Sequence, residues 1–251
     1  VDMAKRYGIM DANAQRLAAT FWPGPLTLVV PHHEKTSIAP SVTAGLSTIA
    51  VRQPQGPMAE LAAYLNRPLA APSANRSGRV SATKLDHILA DFSNTVVFAL
   101  DDGPCAIGLE STIAKTEDDQ ITILRPGAVT AEAIGTACPG IPVVEAKDNS
   151  DIQAPGMMVS HYAPIASVTL TRQTPGDGHA YLAFGAMPEA KGAVFQLSAS
   201  RNLDEAAARL YAGLHHLDGL KPSCIDVAPI PNHGMGIAIN DRLRRAAAPK
   251  Q

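Results

Sequence analysis

Apolar runs of strand length alternate with helix-like stretches twice along this 251-residue chain, and the alternation breaks once, over residues 146–165. A short apolar run between turn formers suits a buried strand, and apolar residues three and four apart suit a helix packed on it. Strands are expected at 26–30, 47–52, 95–100, 111–115 and 120–124 in the first round, and at 168–170, 181–184, 193–196 and 224–227 in the second. Asp11 is placed to cap a helix carrying Leu17, Ala18 and Phe21 that stops at Pro23-Gly24-Pro25. A helix at 58–65 follows, and Thr83 is placed to cap another through Leu85, Ile88 and Phe92. Residues 68–72 read as a short apolar strand running into a polar loop. After the break, Asn202 opens a helix with Leu203, Ala207, Leu210, Leu214 and Leu217 on one stripe, and a Gly-rich turn leads into a last helix ending near Ala248. The class is α/β: a mixed-sheet domain over 1–145, a Pro/Gly/Met-rich linker over 146–166, and a small α/β domain over 167–251.

Composition narrows the function. At 46% hydrophobic residues the chain can bury one large core or two modest ones. Its charged residues nearly balance, with a net charge of −2, so it lacks the overall basic footprint of a phosphate-backbone binder. Cys105, Cys138 and Cys224 lie far apart and form no C-x-x-C pair, which points to reduced thiols in a cytoplasmic protein and to neither a disulfide framework nor a zinc site. His32-His33 and His215-His216 are adjacent pairs, a spacing that does not put two ligands on one helix face. No apolar run approaches the roughly 20 residues of a membrane helix. A P-loop and a G-x-S-x-G elbow are both absent. "HGMGIA", from His233, lacks the third glycine of a dinucleotide loop and reads as helix-start packing.

The densest polar cluster is "APSANRSGRVSAT", from Ala71 to Thr83. Ser73, Asn75, Ser77 and Ser81 offer hydroxyls and an amide, and Gly78 permits close backbone approach; the loop is either an anion cradle before a helix N-terminus or an ordinary capped turn. Arg52 ends one strand and Arg125 another, each placed either to clamp a carboxylate or phosphate with paired hydrogen bonds or to reach solvent. Two strand-end arginines and a serine loop in one domain point to a site for phosphate and carboxylate. Asp101 and Asp102 form an acidic turn that suits solvent better than a hydrated Mg²⁺.

The segments "FWPGPLTLVV", "TIAVRQP", "PLAAPSANRSGRVSAT", "GLESTIA" and "ILRPGAVT", in that order, resemble the Sua5/YrdC/YwlC family of L-threonylcarbamoyladenylate synthases. "APGMMVSHYAPIA" resembles the linker of its long form, and "NLDEAAARLYAGLHHLD" with "GMGIAINDRLRRAA" its C-terminal domain. The resemblance implies a YrdC-like domain, a linker acting as a lid hinged at Pro155-Gly156 and Pro164, and a small Rossmann-like domain. It implies threonylcarbamoyl-AMP and pyrophosphate made from L-threonine, bicarbonate or CO₂ and ATP with Mg²⁺, the product passing to a separate tRNA-modifying transferase of the t6A pathway. By the same resemblance L-threonine would meet Arg52, Ala71 and Ser111, while ATP would meet Thr48, Ser73, Asn75, Ser81, Arg125 and Tyr162. No residue is assigned as acid or base, and direct tRNA binding is not expected. Members of the family begin upstream of the point matching Val1 with a segment carrying a Lys-Arg pair, and Lys5-Arg6 sits in a different, helical context, so the chain is expected to start inside the catalytic domain. The competing readings are a non-catalytic ATP- or RNA-binding remnant and a different carbamoylation reaction on a related scaffold.

Overall fold

The structure, a computed structural model, describes residues 1–34, 37–95, 98–146 and 161–249. In chain order its elements are α1 (Asp2–Lys5), α2 (Ala12–Phe21), β1 (Leu26–Pro31), α3 (Pro40–Thr43), β2 (Thr48–Val51), α4 (Pro57–Leu65) and α5 (Leu85–Phe92). Then come β3 (Thr112–Thr116), β4 (Ile121–Arg125), α6 (Ala131–Ala137) and β5 (Val143–Glu145). The last are β6 (Ser167–Thr169), β7 (Ala180–Phe184), β8 (Val194–Ser198), α7 (Leu203–Gly219), β9 (Cys224–Val227) and α8 (Met235–Ala247). No helix among the described residues is long and apolar enough to cross a membrane.

Contacts gather these elements into two compact units, Val1–Pro72 with Glu110–Met157, and Ser73–Leu109 with Met158–Gln251. The units follow contacts and not chain order, because residues 73–109 pack with the C-terminal elements although the domain expected from sequence runs continuously over 1–145. The linker expected at 146–166 falls largely on residues 147–160, outside the described residues, as does the Pro155-Gly156 hinge.

In the first unit the sheet order is β2-β1-β3-β4-β5. It is mixed: β1 runs antiparallel to β2 and parallel to β3, and β3 antiparallel to β4. The Asp11 carboxylate accepts from the Ala14 amide at 2.6 Å and starts α2, as expected. Ala14, Leu17 and Ala18 on that helix are buried with Leu26 and Leu28 of β1 and Ile121 and Ile123 of β4. Each large side chain so covered contributes about 1.5–3 kcal/mol.

The second unit holds a four-stranded sheet in the order β6-β9-β7-β8, all parallel. Parallel strands inside a sheet need both faces covered, and the inner strand β7 is apolar and buried at every position, whereas the edge strand β6 carries Ser167 and Thr169 and is largely exposed. Helix α7 begins where Asn202 accepts from the Glu205 amide at 2.9 Å, and buries Ala207, Leu210, Leu214 and Leu217 of the expected stripe.

Three local expectations are corrected. Residues 68–72 form no strand and are exposed, since Pro68 and Pro72 cannot donate to a ladder at either end. Residues 98–100 form none either; Phe98 is 93% and Leu100 78% exposed, and residues 96–97 lie outside the described residues. Thr83 is not the cap of α5: Lys84 occupies that position without a side-chain cap, and the Thr83 amide donates instead to His87 Nδ1 at 3.2 Å.

Candidate functional site

The strand ends of the first unit bring three of the expected residues together. Ser111 stands just before β3, and Arg125 is the last residue of β4, which pairs with β3. The buried Arg125 guanidinium donates to the Ser111 carbonyl through Nε at 3.2 Å and Nη2 at 2.9 Å, and Nη2 also reaches Ser111 Oγ at 3.3 Å. Thr27 Oγ1 lies 2.7 Å from the same Ser111 Oγ. Arg52, just past β2, donates from Nε to the Gly24 carbonyl at 2.9 Å. Partial burial, and second the charge of Arg125, lower the Arg52 pKa below the ordinary arginine value. Two cations this close, each fastened to a neutral backbone carbonyl, form a site that an anion would stabilise.

The turn behind Arg125 depends on one glycine. A Cβ at Gly127 would lie 2.4 Å from the Thr112 amide nitrogen and 2.7 Å from the Glu110 carbonyl oxygen, so only glycine fits that close approach. Thr112 Oγ1 fastens the next residues, donating to the Val129 carbonyl at 2.7 Å and accepting from the Val129 amide at 2.9 Å. Thr48 opens β2 opposite Pro31 and is half-buried, while Ala71 lies exposed in the strandless stretch.

The other expected residues belong to the second unit. Asn75 is buried; its amide nitrogen donates to the Arg76 carbonyl at 2.9 Å and the Arg79 carbonyl at 3.2 Å, and its Oδ1 finds no partner among the described residues. Ser81 is buried, and its carbonyl accepts from His215 Nε2 at 3.1 Å. Ser73 and Ser77 are exposed. Tyr162, with φ at 61°, is only 1% exposed; the Arg242 guanidinium carbon lies 5.3 Å from its ring centre, and the Tyr211 ring centre is 5.7 Å away.

Several groups were not legible from spacing. Thr27 gave no signal, because its partner is 84 residues away. Neither did the group His179, Cys224 and Asp226, whose donor atoms all lie within 4.8 Å of one another. These atoms already bond among themselves: Asp226 Oδ2 accepts from the Gly176 amide at 2.7 Å and lies 2.9 Å from His179 Nδ1, and the Cys224 thiol points at Oδ1 at 3.7 Å. Burial alone would raise the Asp226 pKa, but the Gly176 and His179 bonds outweigh it and hold the carboxyl below its usual range. The acidic turn is exposed, with Asp101 Oδ1 accepting from the Gly103 amide at 3.0 Å. Gly236 explains "HGMGIA": a Cβ there would fall 1.9 Å from the Pro231 carbonyl oxygen, a helix-packing contact.

Known proteins resemble this chain along most of its length. A Sua5/YciO/YrdC family model, described as "Telomere recombination", matches residues 1–127, and one described as "Threonylcarbamoyl-AMP synthase, C-terminal domain" matches residues 129–248. A threonylcarbamoyl-AMP synthase of Bacillus subtilis (strain 168) is 36% identical over 258 residues, covering 96% of this chain and 74% of that protein. One of Pyrococcus abyssi is 35% identical over 255 residues, covering 94% of this chain and 74% of the relative. The crystal structure of P. abyssi Sua5 complexed with L-threonine superposes with a TM-score of 0.86 at 31% identity, over 98% of this chain and 77% of that one. A double-alanine variant of the same protein gives a TM-score of 0.87 at 30% identity, with 98% of this chain and 76% of that one covered.

Proposed function

The chain belongs to the Sua5/YciO/YrdC family and carries the C-terminal domain of its threonylcarbamoyl-AMP synthases, and from that premise we propose how its residues divide the work of the reaction. It is an enzyme that makes threonylcarbamoyl-AMP and pyrophosphate from L-threonine, bicarbonate or CO₂ and ATP, for the t6A modification of tRNA. The threonine amine, its proton passing to solvent, takes up CO₂ as a carbamate. A carbamate oxygen then attacks the α-phosphorus of ATP, the bond from that phosphorus to the β-bridging oxygen breaks, and pyrophosphate leaves. ATP enters as its Mg²⁺ complex, carried by the triphosphate.

The observation that carries the assignment is the close pair of guanidinium groups at Arg52 and Arg125 with Ser111 beside them. Arg52 is fastened through Nε alone among the described residues, which leaves its two terminal nitrogens for a carboxylate, and we assign it the threonine carboxylate. Ser111 Oγ, held by Thr27 and Arg125, is assigned to the same substrate, as is Ala71. Arg125 and Thr48 take phosphate or ribose oxygens of ATP, and Ser73, Asn75 and Ser81 contribute loop contacts, Asn75 through its unpartnered buried oxygen. For Tyr162 to touch the nucleotide, its ring must leave the packing against Arg242 and Tyr211. Catalysis on this reading is positioning plus charge stabilisation: the fixed cations meet the charge that grows on the phosphoryl oxygens, with no side chain moving a proton. The product would pass, in the cytoplasm, to a separate tRNA-modifying enzyme.

The test is release of pyrophosphate with threonylcarbamoyl-AMP identified by mass. Dependence on L-threonine, bicarbonate and ATP together is expected. Saturable ATP or RNA binding with no pyrophosphate under any combination would establish the non-catalytic reading instead.

A further inference from the structure

The loop that the proposed function assigns to ATP is held in shape by a helix from the far end of the chain. His215 on α7 donates through Nε2 to the Ser81 carbonyl at 3.1 Å, across 134 residues of sequence. The His87 ring of α5 stacks on His215, with centroids 3.8 Å apart and planes 22° from parallel. His87 in turn accepts at Nδ1 from the Thr83 amide at 3.2 Å. The two stacked imidazoles therefore grip the loop on both sides of Ala82, one through a carbonyl and one through an amide. Around them the same unit adds support: the Ala163 amide donates to the Gly78 carbonyl at 2.9 Å, Val80 is buried in the core with Leu214 and Leu217, and Arg79 lies 3.8 Å from Asp218.

We propose that His215, backed by His87, is a positioning residue for the nucleotide: it fixes the 73–83 loop so that Ser73, Asn75 and Ser81 meet ATP, which gives the C-terminal domain a part in substrate binding. The inference rests on the assignment of those three residues to ATP. The bonds set the protonation of the pair. His215 must carry its proton on Nε2 to donate to Ser81, and His87 must leave Nδ1 bare to accept from Thr83. A proton added to His87 Nδ1 would set donor against donor and place a charge against the ring of His215.

The charged and titratable groups around the pair are Lys84, Asp86 and Asp91 beside His87, and Asp91, Asp218 and Arg79 beside His215. Burial, then His215 and Lys84, push the His87 pKa down from 6.5 to about 4, against Asp86 and Asp91. Burial also lowers the His215 pKa. A released or unfolded loop thus binds protons more readily than the clamped one. The clamp is at full strength above pH 6.5 and is lost as pH falls toward about 4.

The experiment compares the intact protein with His215→Ala and His215→Gln by calorimetric ATP and threonine binding and by hydrogen exchange of amides 73–83. His215→Ala is expected to weaken ATP about tenfold and speed exchange in the loop, while threonine affinity changes less than about twofold; His215→Gln, whose side-chain amide still donates, recovers most of the loss. Equal losses for both ligands, or unchanged ATP affinity with unchanged loop exchange, overturn the proposal. Failure of the unmodified protein to bind ATP at all overturns instead the ATP assignment on which it stands. Because the alanine variant can also lose the fold, acidification of the unmodified protein from about pH 6.5 toward about 4 supplies a second arm. Exchange corrected for intrinsic pH effects should rise in 73–83 while α2 keeps its protection; an equal rise in both overturns the clamp.

Discussion

The arginine cluster of the first unit and the serine loop of the second hold their polar groups in opposite ways. Arg52 and Arg125 are charged, and each is fastened to a backbone carbonyl close in sequence, 28 and 14 residues away. Ser81 is neutral, and the imidazole that fastens its carbonyl lies 134 residues off. A partly buried guanidinium loses hydration and repels its neighbour, so it needs rigid support at once, which paired strand ends supply. The neutral Ser81 carbonyl bears no such penalty and can take its place from a distant helix. The cost is that its order depends on the partner's protonation state and on the integrity of the second unit.

The largest expected effect tests the charged half of that contrast. Arg52→Ala should lower kcat/KM for pyrophosphate release by about 10²–10³-fold, roughly 3–4 kcal/mol, because a desolvated charge partner is lost. Arg52→Lys keeps the charge but not the fork and should still lose about tenfold or more. Kinetics within twofold of the unmodified protein in Arg52→Ala would remove the clamp and with it the distinction drawn here. Next in size is Gly127→Ala, whose Cβ would lie 2.4 Å from the Thr112 nitrogen. A loss of about 1–3 kcal/mol in chemical denaturation is expected as the turn behind Arg125 is forced open; no loss would mean that the support is not rigid. The smallest effects sharpen the comparison of the units. Asp11→Ala and Asn202→Ala each remove one helix cap and should cost about 1 kcal/mol. Hydrogen exchange should localise the first to the sheet around β1 and the second to α7 and the 73–83 loop. Identical exchange patterns in the two variants would show that the units open together.

Much of the fold was legible because its causes are local. The α7 stripe, the caps at Asp11 and Asn202 and the buried runs of β1, β7 and β9 are set by residues within a few positions of one another. The arginines were legible too, as charged residues ending apolar strands. Residues 68–72 and 98–100 are apolar like strands, but the first stretch is bracketed by Pro68 and Pro72, which cannot donate to a ladder, and a strand exists only where another can pair with it, which composition does not state. His87 gave no signal because, although its tie to Thr83 is local, the His215 ring it stacks on comes from a distant part of the sequence.

By itself the sequence determined where the chain turns, which faces it buries and which side chains carry charge, because torsional preference and hydrophobic period act over short range. Only the tertiary structure decided that residues 73–109 pack with the C-terminal elements, that Ser111 ties Thr27 to Arg125, and that His215 holds Ser81. Those choices depend on which surfaces meet once loops close, and loop closure costs little more for 134 residues than for a few tens, so nothing near either partner in the chain marks the pair.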